Sequence, residues 1–144
     1  MIEVRVIKAV ETYQIRIEVL RNGVPENFHF QGDEAIDSFH LGAFQDNSCI
    51  GISTFIRNNH SLLSKEAAYQ LRGMAILPKY QKQGVGKKIL IESYKYLAEH
   101  TCQILWCNAR EIAVNFYKKS GFAIIGEPFN IPKIGLHYIM YKRL

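Results

Sequence analysis

The chain has 144 residues, a formal charge of +5 and 48% apolar residues. That length suits one domain, and eight Phe and eight Tyr beside many Ile and Val exclude a disordered chain. The positive balance, 18 Lys and Arg against 13 Asp and Glu, favours an anionic partner: a phosphate-bearing cofactor, nucleic acid or a membrane surface.

Met1 to Leu20 carries Glu3, Arg5, Lys8, Glu11, Arg16 and Glu18, so no apolar signal-peptide core is expected there. No window approaches the roughly 18 uncharged apolar residues of a membrane span. The three cysteines, Cys49, Cys102 and Cys107, have no Cys-x-x-Cys spacing and suit a reducing compartment. We therefore expect a cytoplasmic protein without membrane contact. No repeat, linker or charge block interrupts residues 1–144, which predicts a single domain. No His, Cys, Asp or Glu grouping has metal-ligand spacing, so no metal is expected.

Glu3 to Ile7 alternates Val4 and Val6 with charges and predicts a strand. From Ala9 to Arg21 two periods compete, and a helix is preferred because Asn22-Gly23 and Pro25 read as its stop. Two apolar runs, Ile36 to Phe44 and Cys49 to Arg57, flank Gln45-Asp46-Asn47-Ser48 and predict a hairpin. A polar stretch, Asn58 to Glu66, precedes a strand over Tyr69 to Leu77 that Pro78 ends. Beyond Gly86, Ile89, Leu90, Tyr94 and Leu97 recur at helical spacing to about His100. Ile104 to Cys107 predicts a buried strand, and Glu111 to Ser120 a second helix stopped by Gly121. Phe122 to Ile125 and His137 to Tyr141 complete the strands. Interleaved strands and helices predict a mixed α/β architecture.

The sharpest local feature lies between the Tyr69–Leu77 strand and the long helix: Gln81-Lys82-Gln83-Gly84-Val85-Gly86-Lys87-Lys88. Glycines let backbone N–H groups approach a ligand closely, and the following helix aims its free N–H groups and positive dipole end at the same place. With Lys82, Lys87 and Lys88, the stretch can cradle a phosphate or pyrophosphate. A nucleotide-hydrolase loop would need Gly at Gln81 and a hydroxyl at Lys88, and a dinucleotide fingerprint would need Gly at Ile89; neither is met. A plain strand-to-helix turn remains the bland alternative.

Met74-Ala75-Ile76-Leu77-Pro78-x-x-Gln81-x-x-Gly84-x-Gly86 resembles the signature of the GNAT superfamily of N-acetyltransferases. Asn108-Ala109-Arg110, Ala113 and Phe116-Tyr117-Lys118-Lys119-x-Gly121-Phe122 resemble its downstream segment. The best match covers Tyr69 to Gly126, and the order of elements extends it over most of the chain. Ile134-Gly135-Leu136-His137 is similar to an Ile-Gly-Pro-His stretch of a bacterial branch of small single-domain members, from which Leu136 departs. The resemblance implies a mostly antiparallel sheet with a splayed strand pair, flanked by helices.

It also implies acetyl-CoA as co-substrate, with its diphosphate on the backbone from Gln81 through Lys82, Gln83, Gly84, Val85 and Gly86 to Lys87. The cofactor's arm would run beside Met74-Ala75-Ile76 and meet Asn108, whose amide offers donor and acceptor. Asn108 is equally a candidate helix cap. Tyr117 occupies the position of the acid that protonates the departing thiolate; Tyr117 as a core residue is the alternative. The base is open between His137 and His40, each also readable as structural. Cys107, in an apolar strand without a neighbouring His, reads as core. Arg16, Arg21, Phe28 and Phe30 fall where this family shapes its acceptor pocket, although a solvated helix face and ordinary packing are preferred for them. Arg72 reads as exposed or paired, and Arg110 as a substrate contact or a strand–helix cap.

The expected activity is acetyl transfer from acetyl-CoA to an amine of a small molecule or peptide, by a monomer or homodimer. An acyl-CoA-binding regulatory module without turnover would keep Gln81 to Gly86 and dispense with Tyr117. Nucleic-acid binding rests on charge alone, and no nucleic-acid motif supports it.

Overall fold

The computed structural model describes residues 1–63 and 66–144. The alternating residues of β1 (Glu3–Ile7) make an edge strand paired with β2 (Phe39–Gln45). Between them, the stretch of competing periods is helical. A 3-10 turn (Ala9–Thr12) leads into one α turn, α1 (Tyr13–Ile15), which widens into a π-helical turn (Arg16–Leu20). Asn22 and Gly23, at φ 52° and 83°, stop it as the Asn-Gly signal predicts.

β2 and β3 (Ser48–Arg57) form the expected hairpin. Asp46 and Asn47, at φ 50° and 64°, make a two-residue turn whose twist matches the strands. The first strand starts at Phe39 rather than Ile36, because Ala35 and Ser38 spend their N–H groups in turns on Gly32 and Ala35 carbonyls. The polar stretch Asn58 to Glu66 includes Ser64 and Lys65, which lie outside the described residues.

β4 (Ala68–Ile76) leads through Pro78–Tyr80 to α2 (Val85–Glu99). β5 (Ile104–Arg110) follows, then a 3-10 turn (Glu111–Ala113) and α3 (Val114–Lys119), ended by Gly121 at φ 93°. β6 (Ala123–Ile131) and β7 (Gly135–Arg143) close the chain. β5, β6 and β7 outrun their apolar stretches because pairing continues into polar residues, as far as Arg110 opposite His137.

The seven strands form one sheet in the order β1-β2-β3-β4-β5-β7-β6, antiparallel except at β4–β5. Each face is covered by helix. On one face α2 inserts Val85, Ile89, Leu90 and Leu97 among Leu41, Ala43, Phe55 and Leu71. On the other, Ile15 of the N-terminal helical segment joins Ile7, Ile52 and Ala75.

The expected solvated face at Arg16 is not found: Arg16 is fully buried. The widened turn carries it inward, where Nη1 and Nη2 donate to both oxygens of Asp33 at 2.7 and 2.9 Å. Nη1 also donates to the Phe28 carbonyl and Nη2 to Thr54 Oγ1. His40 bonds Thr54 Oγ1 and the Asp33 carbonyl, completing a buried network that ties the segment 9–33 to β2 and β3. Burial alone would push the Asp33 carboxyl up; hydrogen bonds from Arg16 and the Phe30 N–H, with the Arg16 and His40 charges, overcome it and hold it below its ordinary value.

Removing one partner of such a pair leaves an uncompensated buried charge. Asp33→Asn should therefore cost about 3–5 kcal/mol of unfolding free energy, measured by urea denaturation. Because the folded-state carboxyl titrates low, the pair stabilises fully above the ordinary carboxylate value of about 3.9 and is lost as pH falls through the depressed one. The gap between wild type and Asp33→Asn should accordingly narrow below about pH 4.

Candidate active site

β4 and β5 pair across only three positions, Ala68–Ile104, Tyr69–Leu105 and Gln70–Trp106. Beyond them the strands part, and Leu71 to Ile76 of β4 face Cys107 to Arg110 of β5 across a cleft of about 830 Å³. A bulge bends β4 at the parting, where Gly73 and Met74 stand opposite Ser53. Gly73 adopts φ +63°, and a Cβ there would lie 2.8 Å from the Phe30 ring, so only glycine satisfies both backbone and space. The splayed pair implied by the resemblance is thus present.

One end of the cleft is the turn before α2. Gln81, Lys82, Gly84, Val85, Gly86 and Lys87 line it, beside Met74, Ala75 and Ile76 of β4. Lys82 and Gly84 take φ 61° and 82°, and no side chain caps α2. The first-turn N–H groups of α2 therefore have no acceptor within the helix. Gln81 braces the turn by donating from Nε2 to the Ile76 carbonyl at 2.9 Å. Gln83 does not line the cleft; its Nε2 donates to the Lys79 carbonyl. Lys88 also leaves the expected cradle, because its ammonium bonds the Ile2 carbonyl beside β1.

The floor combines Cys107, Asn108 and Tyr117. Asn108 lies inside β5, opposite Ile139, with its side chain exposed in the cleft, so the helix-cap alternative does not hold. Tyr117 is packed as a core residue and also lines the cleft: it is 5% exposed and sits edge-on to Phe116 and Phe122. Burial, then the hydrogen-bonded Cys107, pushes its phenol well above the ordinary value. Burial pushes the Cys107 thiol up to about 12, partly offset by that hydrogen bond. A thiol so disposed is no nucleophile near neutrality.

The other end lies toward the N-terminal helical segment. Val19, Leu20, Arg21, Phe30, Arg72, Arg110 and His137 line it, with Ile112 90% exposed at its mouth. His137 is buried, and its Nδ1 lies 2.8 Å from the Gly135 carbonyl. A carbonyl only accepts, so Nδ1 carries the proton and Nε2 has the free lone pair of the neutral ring. His40 is excluded from this cleft by its place in the Arg16–Asp33 network and lines a separate small pocket. Of the residues for which ordinary packing was preferred, Arg21 and Phe30 reach the cleft, while Phe28 packs on Tyr13 at 5.1 Å. Arg72 is half-buried over the Phe30 ring at 4.5 Å. Val19, Leu20, Ile112 and Ile131 carry no sequence signal beyond hydrophobicity.

The model of the Acetyltransferase (GNAT) family matches residues 9–122. YitI of Bacillus subtilis (strain 168), an uncharacterised N-acetyltransferase, is 42% identical over 145 residues, covering 100% of this chain and 97% of that protein. Among solved structures, Escherichia coli ElaA superposes with a TM-score of 0.80 at 15% identity over 99% of each chain. An aminoglycoside 6′-N-acetyltransferase complexed with coenzyme A superposes at 0.73 and 14% identity, over 98% of this chain and 96% of that one. The structural likenesses speak to the fold, while the family match and the relative speak to descent. Together with the parted strands and the turn before α2, they show that this chain belongs to the GNAT acetyltransferase family, as an acyl-CoA-dependent N-acetyltransferase.

Proposed function

We propose that the protein moves the acetyl group of acetyl-CoA onto the primary amine of a small molecule or peptide, by direct attack in a ternary complex. The observation that carries this is the cleft between β4 and β5, open to the α2 turn at one end and to a separate pocket end at the other. Two substrates can thus meet from opposite ends over Tyr117. Acetyl-CoA supplies the activated acyl group, as a thioester.

The residues present fit that co-substrate. The left-handed backbone at Lys82 and Gly84, the uncapped N-terminus of α2 and the cations Lys82 and Lys87 suit a diphosphate. The edge of β4 that β5 leaves open, at Met74, Ala75 and Ile76, suits an amide-bearing arm, which would add to it as a strand does, and Asn108 offers a donor and an acceptor across the cleft. A backbone N–H of that edge near Ile76 would support the developing oxyanion. Tyr117, held neutral by burial, donates toward the departing sulfur, and His137 Nε2 accepts the proton that the attacking amine must lose. The aminoglycoside enzyme bound to coenzyme A supports the cofactor class. Tyr117 in the cleft floor favours turnover over a binding module that only holds acyl-CoA.

Thermal melting checks the co-substrate. Saturating acetyl-CoA should raise the midpoint by linkage, and an unmoved midpoint would refute the assignment. Gly84→Ala places a Cβ at φ +82° with nothing within 4 Å, so its penalty is conformational: about 1–2 kcal/mol of stability, with a reduced acetyl-CoA shift. Initial-rate lines with both substrates varied should intersect; parallel lines would mean an acyl-enzyme.

Tyr117→Phe should lower kcat by about 10²- to 10⁴-fold with little change in the KM for acetyl-CoA. The raised phenol keeps its proton through the ordinary value of about 10, so Tyr117 contributes no fall in kcat below that pH. An alkaline limb well below pH 10 that disappears in Tyr117→Phe would contradict the burial argument.

A further inference from the structure

We propose that the acceptor amine also carries an anionic group, carboxylate or phosphate, bound by Arg21, Arg72 and Arg110; this rests on the acetyl-transfer reading and names the substrate class within it. Among the described residues, the lining of the cleft contains no Asp or Glu. Arg21, Arg72 and Arg110 all line it, and none of them forms an ion pair with a described residue.

Their position separates them from the phosphate-binding turn. Arg72 is the cross-strand partner of Thr54, whose hydroxyl accepts from Arg16, so it emerges on the face of the sheet that the N-terminal helical segment covers, opposite α2. Arg110 ends β5 opposite His137. The Phe30 ring organises the group: the guanidinium carbons of Arg16, Arg72 and Arg21 lie 3.8, 4.5 and 5.9 Å from its centroid. Of these three, only Arg16 has its carboxylate, Asp33.

Gathering like charges in a half-buried place opposes folding. Burial first, then the charges of Arg110 and Arg16, hold Arg21 below its ordinary value. Burial and then Arg16 and Arg21, partly offset by Asp33, do the same to Arg72. Arg21 donates from Nε and Nη1 to the Asn27 and Leu20 carbonyls, which fixes its direction and supplies no counter-charge. An acceptor with its own anion would relieve that repulsion through charge-assisted bonds. A polyamine or a polycationic sugar would add to it.

Matched pairs of acceptors provide the test, run once acetyl-CoA binding has been established by melting. The pairs are an amino acid against its amide, and an amino-sugar phosphate against the free amino sugar, with spermidine as the polycation. The anionic member should have the higher kcat/KM by tenfold or more, and whichever pair shows it separates carboxylate from phosphate. Arg72→Gln and Arg110→Gln should each lower kcat/KM for that acceptor by about 10- to 100-fold, mainly through KM, and leave the acetyl-CoA midpoint shift intact. Independently of turnover, citrate or inorganic phosphate should raise the midpoint of the CoA-saturated wild type more than that of either variant. Preference for the neutral or polycationic amines, an equal anion effect in wild type and variants, or loss of the acetyl-CoA shift in the arginine variants would each overturn the proposal. Absence of any acetyl-CoA shift in the wild type would instead refute the acetyl-transfer reading beneath it.

Discussion

Everything functional in this molecule depends on two strands that stop pairing. A parallel ladder of three residue pairs holds β4 and β5 together at one end, and nothing in the sheet bridges them beyond Gln70 and Trp106. Unpaired backbone edges inside a protein are costly unless a ligand or water meets them. The fold keeps this one open by bending β4 at the Gly73 bulge and by tying β5 firmly to β7 through seven consecutive positions. The opening is thus set by strong pairing on both outer sides, and the side chains at its rim inherit fixed positions.

The bulge has its own support. Phe30 fills the space beside Gly73, Arg16 stacks on Phe30, and Asp33 holds Arg16. A buried ion pair of this kind is poor evidence for net stability, because desolvation opposes the attraction. Its contribution here is positional. A π-helical turn, a loop carbonyl, two strands and a ring all take their relative places from one guanidinium.

Much of this order is legible in the residues alone, and the exceptions have physical causes. β1, the hairpin, β4, α2 and α3 follow from local periodicity and from glycine, asparagine and proline signals, with β1 matched at both ends and the other boundaries within three residues. β5, β6 and β7 extend further than their apolar runs, because cross-strand pairing does not need hydrophobic side chains. The turn from Gln81 to Lys87 and the Tyr117 segment are found by motif, since both depend on spacing along one stretch. Lys88 is misread as part of the cradle because adjacency in sequence does not say which way a side chain points. Arg16 is misread for a deeper reason: a charge on a helix reads as solvated unless its counter-ion is known, and Asp33 lies 17 residues away. The arginine cluster stays invisible for the same cause, being assembled from the N-terminal segment, β4 and the end of β5.

Phe30 belongs to two neighbourhoods at once. Its ring lies against the ion-paired Arg16 and also lines the cleft that a second substrate would meet. Variation at this position therefore cannot retune what the wall accepts without loosening the scaffold behind it. Descendants exploring new acceptors would find easier routes at Val19, Leu20, Ile112 and Ile131, which touch the cleft but whose side chains anchor no charge. The molecule thus separates a frozen wall from an evolvable rim, and divergence among its relatives should concentrate on the rim.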